Sequence, residues 1–408
     1  MYAVGQQRRN RRWPYTATII ILLIIYVGWA FVRPLQPMRP VIDSSALEAK
    51  APAGTLKWPP VQNQSAVGIL GSSILDTHGN QQPAPTASTA KMITALVVLA
   101  QKPLQPGQQG PTITLNANDV AIYNNYVAQD GSLVQVQAGE KITEYQMLEA
   151  MLLPSANNIA DSLAIWAFGS LKNYQQAANQ YLDDQSLVET HVGSDASGFN
   201  PSTTSTARDL VRIGGLVMQN PVLKQIVAQP SAGGIPVVGN IRNVNFLLGQ
   251  DNVIGVKTGN TDQAKGVFVS ASKTAVNGKP VTILTSIMGS PTIYTALGDS
   301  VPIIQSAQAN FKPVTVVSGG STVATYHQPW GGSIRAVATK DLSLKAWGGS
   351  TVNAQTHLQN ITVHNRAGQT AGSVIIPASA FNNQLSAAVK LQTTPTKPSA
   401  AWRLTHPF

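Results

Sequence analysis

Three kinds of apolar spacing follow one another along the chain, and each predicts a different kind of element. The first is an unbroken run. Thr16 to Val32, "TATIIILLIIYVGWAFV", holds 17 residues without a charge, roughly 25 Å of helix at about 1.5 Å per residue. That is near the lower length for crossing a bilayer core. Trp13, Tyr15 and Trp29 flank it as interfacial aromatics would. The second spacing is helical. In "PTASTAKMITALVVLA", Pro85 to Ala100, a long apolar run starts just behind Ser88 and Lys91. In "ITEYQMLEAMLL", Met147, Leu148, Met151 and Leu152 repeat at helical spacing, and Thr143 and Gln146 stand as a capping box. Pro154 drives its predecessor out of the α region, so this helix ends there. "NIADSLAIWAF" predicts the next helix, which leaves Ser155, Ala156 and Asn157 in a tight inter-helix loop.

The third spacing is that of strands. "VGILGSSILDTHGN" reads as a strand closed by a turn; "VIGVKTG" and "GVFVSAS" read as adjacent strands joined through "NTDQAK", and "PVTILTSIMG" continues the sheet. After Pro313 come short strand-like runs broken by glycine and asparagine, among them "STVATYH", "SIRAVATK" and "GSVIIPA". The expected organisation is therefore a tail at 1–15, an apolar span at 16–32, a proline-rich spacer at 33–64, a mixed α/β (α+β) body at 65–313, a small β-rich domain at 314–392 and a tail at 393–408.

Charge sharpens this picture. The net charge of +10 resembles a nucleic-acid signal until it is divided along the chain. Residues 1–39 carry six arginines and no acid, and residues 314–408 carry seven basic residues and the single acid Asp341. The stretch between them holds 15 basic and 17 acidic residues, so no basic groove and no nucleic-acid partner is expected. Arg8, Arg9, Arg11 and Arg12 precede the apolar span, which predicts a cytoplasmic amino terminus and an extracytoplasmic body. "YVGWAFVRP" is too bulky for a signal-peptidase site, so an uncleaved anchor is expected over a cleaved signal. The chain has no cysteine, which removes thiol nucleophiles, disulfides and a lipoprotein anchor. His78, His191, His327, His357, His364 and His406 show no metal-ligand spacing.

Ser88 and Lys91 are one helical turn apart, so the amine can reach the hydroxyl and take its proton. The lysine must be neutral to do so, and burial and the positive end of the helix dipole both lower its pKa. A lone Ser-x-x-Lys arises by chance about once in such a chain. Ser270 and Lys273 repeat it inside a predicted strand, where i and i+3 point to opposite faces. The pattern gains weight from "SAN" at 155–157 and "KTG" at 257–259, in order and in fitting contexts.

On "ASTAKMITAL", "LLPSANNIAD", "DASGFNPSTTSTARDL" and "VIGVKTGNTDQAKGVFVSAS", the chain resembles the low-molecular-mass penicillin-binding proteins of the D-alanyl-D-alanine carboxypeptidase type. The resemblance covers about 65–310 and, more weakly, the β domain. It implies a β-lactamase/transpeptidase-like antiparallel sheet flanked by helices, with a helical subdomain. It also implies peptidoglycan stem peptides as substrates, β-lactams as covalent inhibitors and no cofactor or metal. By the same resemblance Ser88 is the acylated nucleophile and Lys91 its base, and Ser155 passes a proton to the leaving D-alanine while Lys257 polarises it. Asn157 then binds the peptide amide, Thr258 holds the terminal carboxylate, and Gly259 clears the strand face. The N–H groups of Ser88 and Asn260 form the oxyanion hole. Two departures stand out: Asn260 replaces a larger aromatic or histidine, and no arginine stands clearly in the carboxylate-binding place, Arg242 being merely nearby. A D,D-endopeptidase is the nearest alternative. A β-lactamase lacks its Glu-x-x-Leu-Asn stretch here, a non-catalytic wall-binding protein would have lost Ser88 or Lys91, and a Ser-His-Asp hydrolase lacks its Gly-x-Ser-x-Gly elbow.

Overall fold

Successive residues of a strand face opposite sides of a sheet, and helices cover both sides of the central sheet. In the computed structural model, which describes residues 13–60 and 64–406, the chain divides into two units. The larger unit is Ala53–Lys312 with Ala380–Asn382. The strands of its central sheet are β1 (Gln64–Ile69), β2 (Leu75–His78), β3 (Val253–Thr261), β4 (Lys265–Val276) and β5 (Lys279–Ser290). They run antiparallel in the order β3-β4-β5-β1-β2, so β3 lies at one edge. Its helices are α1 (Lys91–Gln101), α2 (Ala117–Val127), α3 (Glu144–Leu152), α4 (Asn157–Phe168), α5 (Leu171–Asp184), α6 (Ala207–Gln219), α7 (Pro221–Val227) and α8 (Ile293–Gln308).

Val269 and Phe268 are neighbours on β4 and therefore point apart. Val269 meets α6 at Gly214, while Phe268 packs with Ala296 and Leu297 of α8. One core runs from the α6 side of the sheet into the helices, where every residue of α1 from Lys91 to Leu99 is buried. Ile93, Val97 and Val98 are indifferent helix formers. Full burial overrides that preference. The expected capping box is present, with the Thr143 hydroxyl accepting from the Gln146 N–H and the Gln146 side chain accepting from the Thr143 N–H. The helix it opens ends at Leu152, two residues before Pro154. The "NTDQAK" turn is shorter than expected, because β3 runs on to Thr261 and β4 begins at Lys265.

The second unit comprises Met1–Pro52, Pro313–Ser379 and Asn383–Phe408. This corrects the expectation of a simple spacer at 33–64. Pro40–Ile42 pairs with Thr322–His327, Glu48–Lys50 pairs with Thr351–Asn353, and Met38 bridges Ile361. Leu47 and Ala51 lie in the core of the β-rich unit. Strands of three residues have no room for a readable alternation, so the prolines dominated the sequence reading. The apolar helix is Trp13–Val32, slightly longer than the expected 16–32, with Ile19 to Ile25 exposed along it. Arg8, Arg9, Arg11 and Arg12 lie outside the described residues. The expected tail also contains structure: Ala400–Thr405 is a helix, and the Arg403 guanidinium donates to the carbonyls of Ala30 and Phe31 at 3.1 and 3.0 Å.

One acid of the larger unit is buried without a counterpart. Glu144, in the first turn of α3, is 1 % exposed, and neither carboxylate oxygen has a hydrogen-bond partner among the described residues. Burial pushes its pKa up to about 7, against the opposing pull of Lys102. A raised carboxyl pKa means that the folded state binds more protons than the unfolded chain, so stability falls as pH rises from about 4.5 through about 7. Glu144→Gln keeps the shape and removes the titration. Melting curves of both proteins should diverge with pH, the variant gaining on the parent between pH 5 and pH 8. A constant difference across that range would show that the carboxyl is already ionised in the folded protein, its pKa not raised by burial.

Candidate active site

Ser88 sits on a 3-10 turn, Ala87–Ala90, just ahead of α1 rather than on the α-helix itself. The tighter turn eclipses positions i and i+3, which suits the contact better than the α-helix expected from the sequence. The Lys91 Nζ lies 2.7 Å from the Ser88 Oγ. It also donates to the Asn157 Oδ1 at 2.7 Å and to the Ser197 carbonyl at 3.1 Å. Lys91 is 0 % exposed, whereas Ser88 is half-buried and open to a reactant. Loss of hydration drives the Lys91 pKa down to about 7, although Asp195 and Asp161 pull it upward. Burial wins that contest.

A second lysine–serine pair faces the first. The Lys257 amine, on edge strand β3, donates to the Ser155 Oγ at 2.9 Å and to the Thr258 carbonyl at 3.0 Å. It is 1 % exposed, and burial, reinforced by the charge of Lys91, holds its pKa well below the usual lysine value. Ser155 adopts φ +69°, in the left-handed region that non-glycine residues seldom occupy. Ala87, beside Ser88, does the same at φ +46°. Each such conformation costs about 1–3 kcal/mol and persists only where its surroundings enforce it.

Glycines let neighbouring segments close on these two turns. A Cβ on Gly198 would stand 2.2 Å from the Ala87 carbonyl oxygen, and one on Gly131 would stand 2.9 Å from the Asn157 Nδ2. A Cβ on Gly259 would stand 3.0 Å from the Ser88 backbone nitrogen. Thus β3 runs against the serine turn at Gly259, with Thr258 buried and Asn260 exposed beside it. In register, Thr258 faces Phe268 and Asn260 faces Gly266 on β4, so the other edge of β3 is unclaimed by the sheet.

The structure therefore brings Ser88, Lys91, Ser155, Asn157, Lys257, Thr258, Gly259 and Asn260 to one place. It leaves Arg242 on an exposed strand position outside this group. Ser270 and Lys273 part company as well: the Ser270 hydroxyl is buried against the Thr285 hydroxyl at 2.7 Å, and Lys273 is exposed. The sequence reading assigned no role to Ser197, Gly198 or Gly131, nor to Tyr126, Asp161 and Asp195 behind them. The family resemblance rests in part on "LLPSANNIAD", which ends at Asp161, and on "DASGFNPSTTSTARDL", which holds Asp195, Ser197 and Gly198; Tyr126 and Gly131 lie in neither stretch. A cavity of about 650 Å³ opens beside the site, bounded by Asn260, Asp262, Tyr126, Asp195 and Phe199.

Residues 59–292 match the D-alanyl-D-alanine carboxypeptidase family. The chain is 30 % identical over 232 residues to the D-alanyl-D-alanine carboxypeptidase DacB2 of Mycobacterium tuberculosis, covering 54 % of this chain and 74 % of that protein. Its fold is similar to the crystal structure of the Streptomyces K15 DD-transpeptidase, with a TM-score of 0.55 and 25 % identity over 61 % of this chain and 98 % of the other. Penicillin-binding protein 5 from Haemophilus influenzae matches a longer part, 82 % of this chain and 98 % of its own, with a TM-score of 0.57 and 21 % identity. That last likeness concerns the fold, and it extends into the β-rich unit.

The approach at Gly259 is testable. A methyl group there meets the Ser88 nitrogen, the Ala87 Cβ and the Thr86 carbonyl at 3.0, 3.1 and 3.1 Å, none of which belongs to a flexible side chain. Gly259→Ala should fold yet form a covalent β-lactam adduct about 10- to 100-fold more slowly, since small displacements of reacting groups cost that much. Intact mass against time measures the rate. An unchanged rate would mean that the turn and the strand can separate freely.

Proposed function

The chain belongs to the D-alanyl-D-alanine carboxypeptidase family, and from that membership we propose that it removes the terminal D-alanine of peptidoglycan stem peptides through an acyl-enzyme on Ser88. One observation carries the mechanism. A neutral lysine amine has two N–H bonds and one lone pair. The Asn157 Oδ1 and the Ser197 carbonyl can only accept, so they take both N–H bonds and leave the lone pair directed at the Ser88 hydroxyl. With its pKa near 7, Lys91 is substantially neutral at physiological pH while remaining a competent base. Once it has taken the proton, the ammonium finds three acceptors already in place.

Ser88 Oγ then bonds to the carbonyl carbon of the penultimate D-alanine. The developing oxyanion is received by the N–H groups of Ser88 and Asn260, which need no reorganisation. Asn157 orients the peptide amide. The C–N bond breaks as Ser155, held by Lys257, relays a proton to the leaving amine, its own hydroxyl proton being replaced by the one that Lys91 took from Ser88, and Thr258 binds the carboxylate of the departing residue. Water hydrolyses the acyl ester and restores Ser88. The free edge of β3 gives an extended peptide a strand to pair with, and Gly259 lets it come close. β-Lactams enter the same site and remain as the ester.

The apolar helix Trp13–Val32 serves in this reading as an uncleaved anchor, with the amino terminus cytoplasmic and the chain from Arg33 onward extracytoplasmic. The support is its length, its exposed aliphatic surface and the four arginines before it.

Ser88→Ala should give no covalent adduct with penicillin, because only the nucleophilic oxygen is lost. Ser270→Ala should label as the parent does. With a peptide ending in D-Ala-D-Ala, the parent should release free D-alanine. Stoichiometric labelling of Ser88→Ala would refute the assignment. Cleavage of cross-linked muropeptides without D-alanine release would replace the carboxypeptidase reading with an endopeptidase one.

A further inference from the structure

We propose that Tyr126, Asp161 and Asp195 are positioning residues for the nucleophile's lysine, holding the Ser197 carbonyl against it and supplying the negative potential that maintains its basicity. The proposal rests on the reading of Lys91 as base. It adds three residues, none of them hydrogen-bonded to Ser88 or Lys91, that lie on the Asp195 side of the cavity next to Asn260. All three are less than one-tenth exposed.

Ser197 is fixed from below. The Asp195 carboxylate accepts from the Ser197 hydroxyl at 2.8 Å and from the N–H groups of Gly198, Phe199 and Asn200 at 3.2, 3.0 and 3.1 Å. It folds the 195–200 segment around itself. The Asp161 carboxylate, reaching from α4, accepts from the Ala196 N–H at 2.9 Å and so ties the same segment to the helix that carries Asn157. The Tyr126 hydroxyl donates to Asp161 at 2.8 Å and stands 3.4 Å from Asp195 and 3.2 Å from the Ser197 hydroxyl. Both carbonyl-type acceptors of Lys91 thus depend on this cluster, Asn157 through α4 and Ser197 through its own loop.

The charge balance follows from the same placement. Lys91 faces Ser88 on the 3-10 turn, Asn157 and Asp161 on α4, Asp195 and Ser197 on the loop, and Lys257 on β3. The loss of water drives the proton off Lys91, and the two carboxylates, Asp195 and Asp161, hold it on. Asp161 is itself pushed up to about 6, by burial and then by Asp195, while the hydrogen bonds from Ala196 and Tyr126 oppose that rise. The tyrosine therefore keeps the charge of the pair from being neutralised.

Asp161→Asn removes the charge and keeps an acceptor for the Ala196 N–H and a polar partner for Tyr126. In full-length protein in detergent, the [ε-¹³C]lysine resonance that disappears in Lys91→Arg reports the titration of Lys91. Its midpoint should fall by at least about half a pH unit in Asp161→Asn. It should fall less in Tyr126→Phe, which leaves both carboxylates in place. The acid limb of penicillin acylation, followed by intact mass, should move to lower pH in the same order. If Asp161→Asn does not fold, Tyr126→Phe decides. An unmoved midpoint in the folded variants, or one displaced upward, overturns the proposal. A lowered midpoint with an unmoved acylation limb would sustain the coupling and overturn Lys91 as the base.

Discussion

A primary amine sealed from water must have its hydrogen bonds and its charge provided by the protein, and Lys91 and Lys257 impose that condition twice in one cleft. An isolated buried ammonium is so costly that the group loses its proton instead. Here the loss is allowed to proceed only part of the way for Lys91. The acceptors around it come from α4 and from the 195–200 loop, those around Lys257 from the Ser155 loop and β3. Three separate pieces of chain converge on the turn that carries Ser88 and Lys91 because two amines require it. The left-handed residues Ala87 and Ser155 belong to the same requirement, since a relaxed backbone at either place would carry its serine elsewhere.

Close approach is the second requirement, and it falls to glycine. Gly198 lets the 195–200 loop lie directly on the turn bearing Ser88, and Gly259 lets the edge strand do so from the other side. The serine turn is held between two backbones rather than between side chains. Its rigidity comes from parts that have no rotamers to lose.

The reach of sequence reasoning follows from distance along the chain. Ser88 and Lys91 are three residues apart, so their contact is a property of local geometry and could be read directly. Ser155, Asn157 and Lys257 were legible through loop and strand context together with the family resemblance. Tyr126, Asp161 and Asp195 were not, because 35 and 69 residues separate the tyrosine from its two partners and no period links them. Single aspartates in helices and loops are ordinarily solvated, and nothing in their spacing marks these as buried. Prolines at 34–60 misled for a related reason: the three-residue strands among them acquire their identity from partners near residues 324 and 352.

Those distant pairings determine the order in which the chain can be completed. Synthesis delivers residues 38–52 first, yet their strand partners lie beyond residue 320, after the whole of the larger unit has been made. The larger unit is in effect an insertion within the smaller one. A nascent chain therefore finishes its larger unit while the flanking segment still waits, unpaired, for the carboxy-terminal sequence that will close around it. Chains cut short after residue 312 would lack every strand that receives Pro40–Ile42 and Glu48–Lys50. They would leave Leu47 and Ala51 without the core that buries them, and this marks premature termination, rather than damage to the cleft, as the event that exposes sticky amino-terminal segments to other chains.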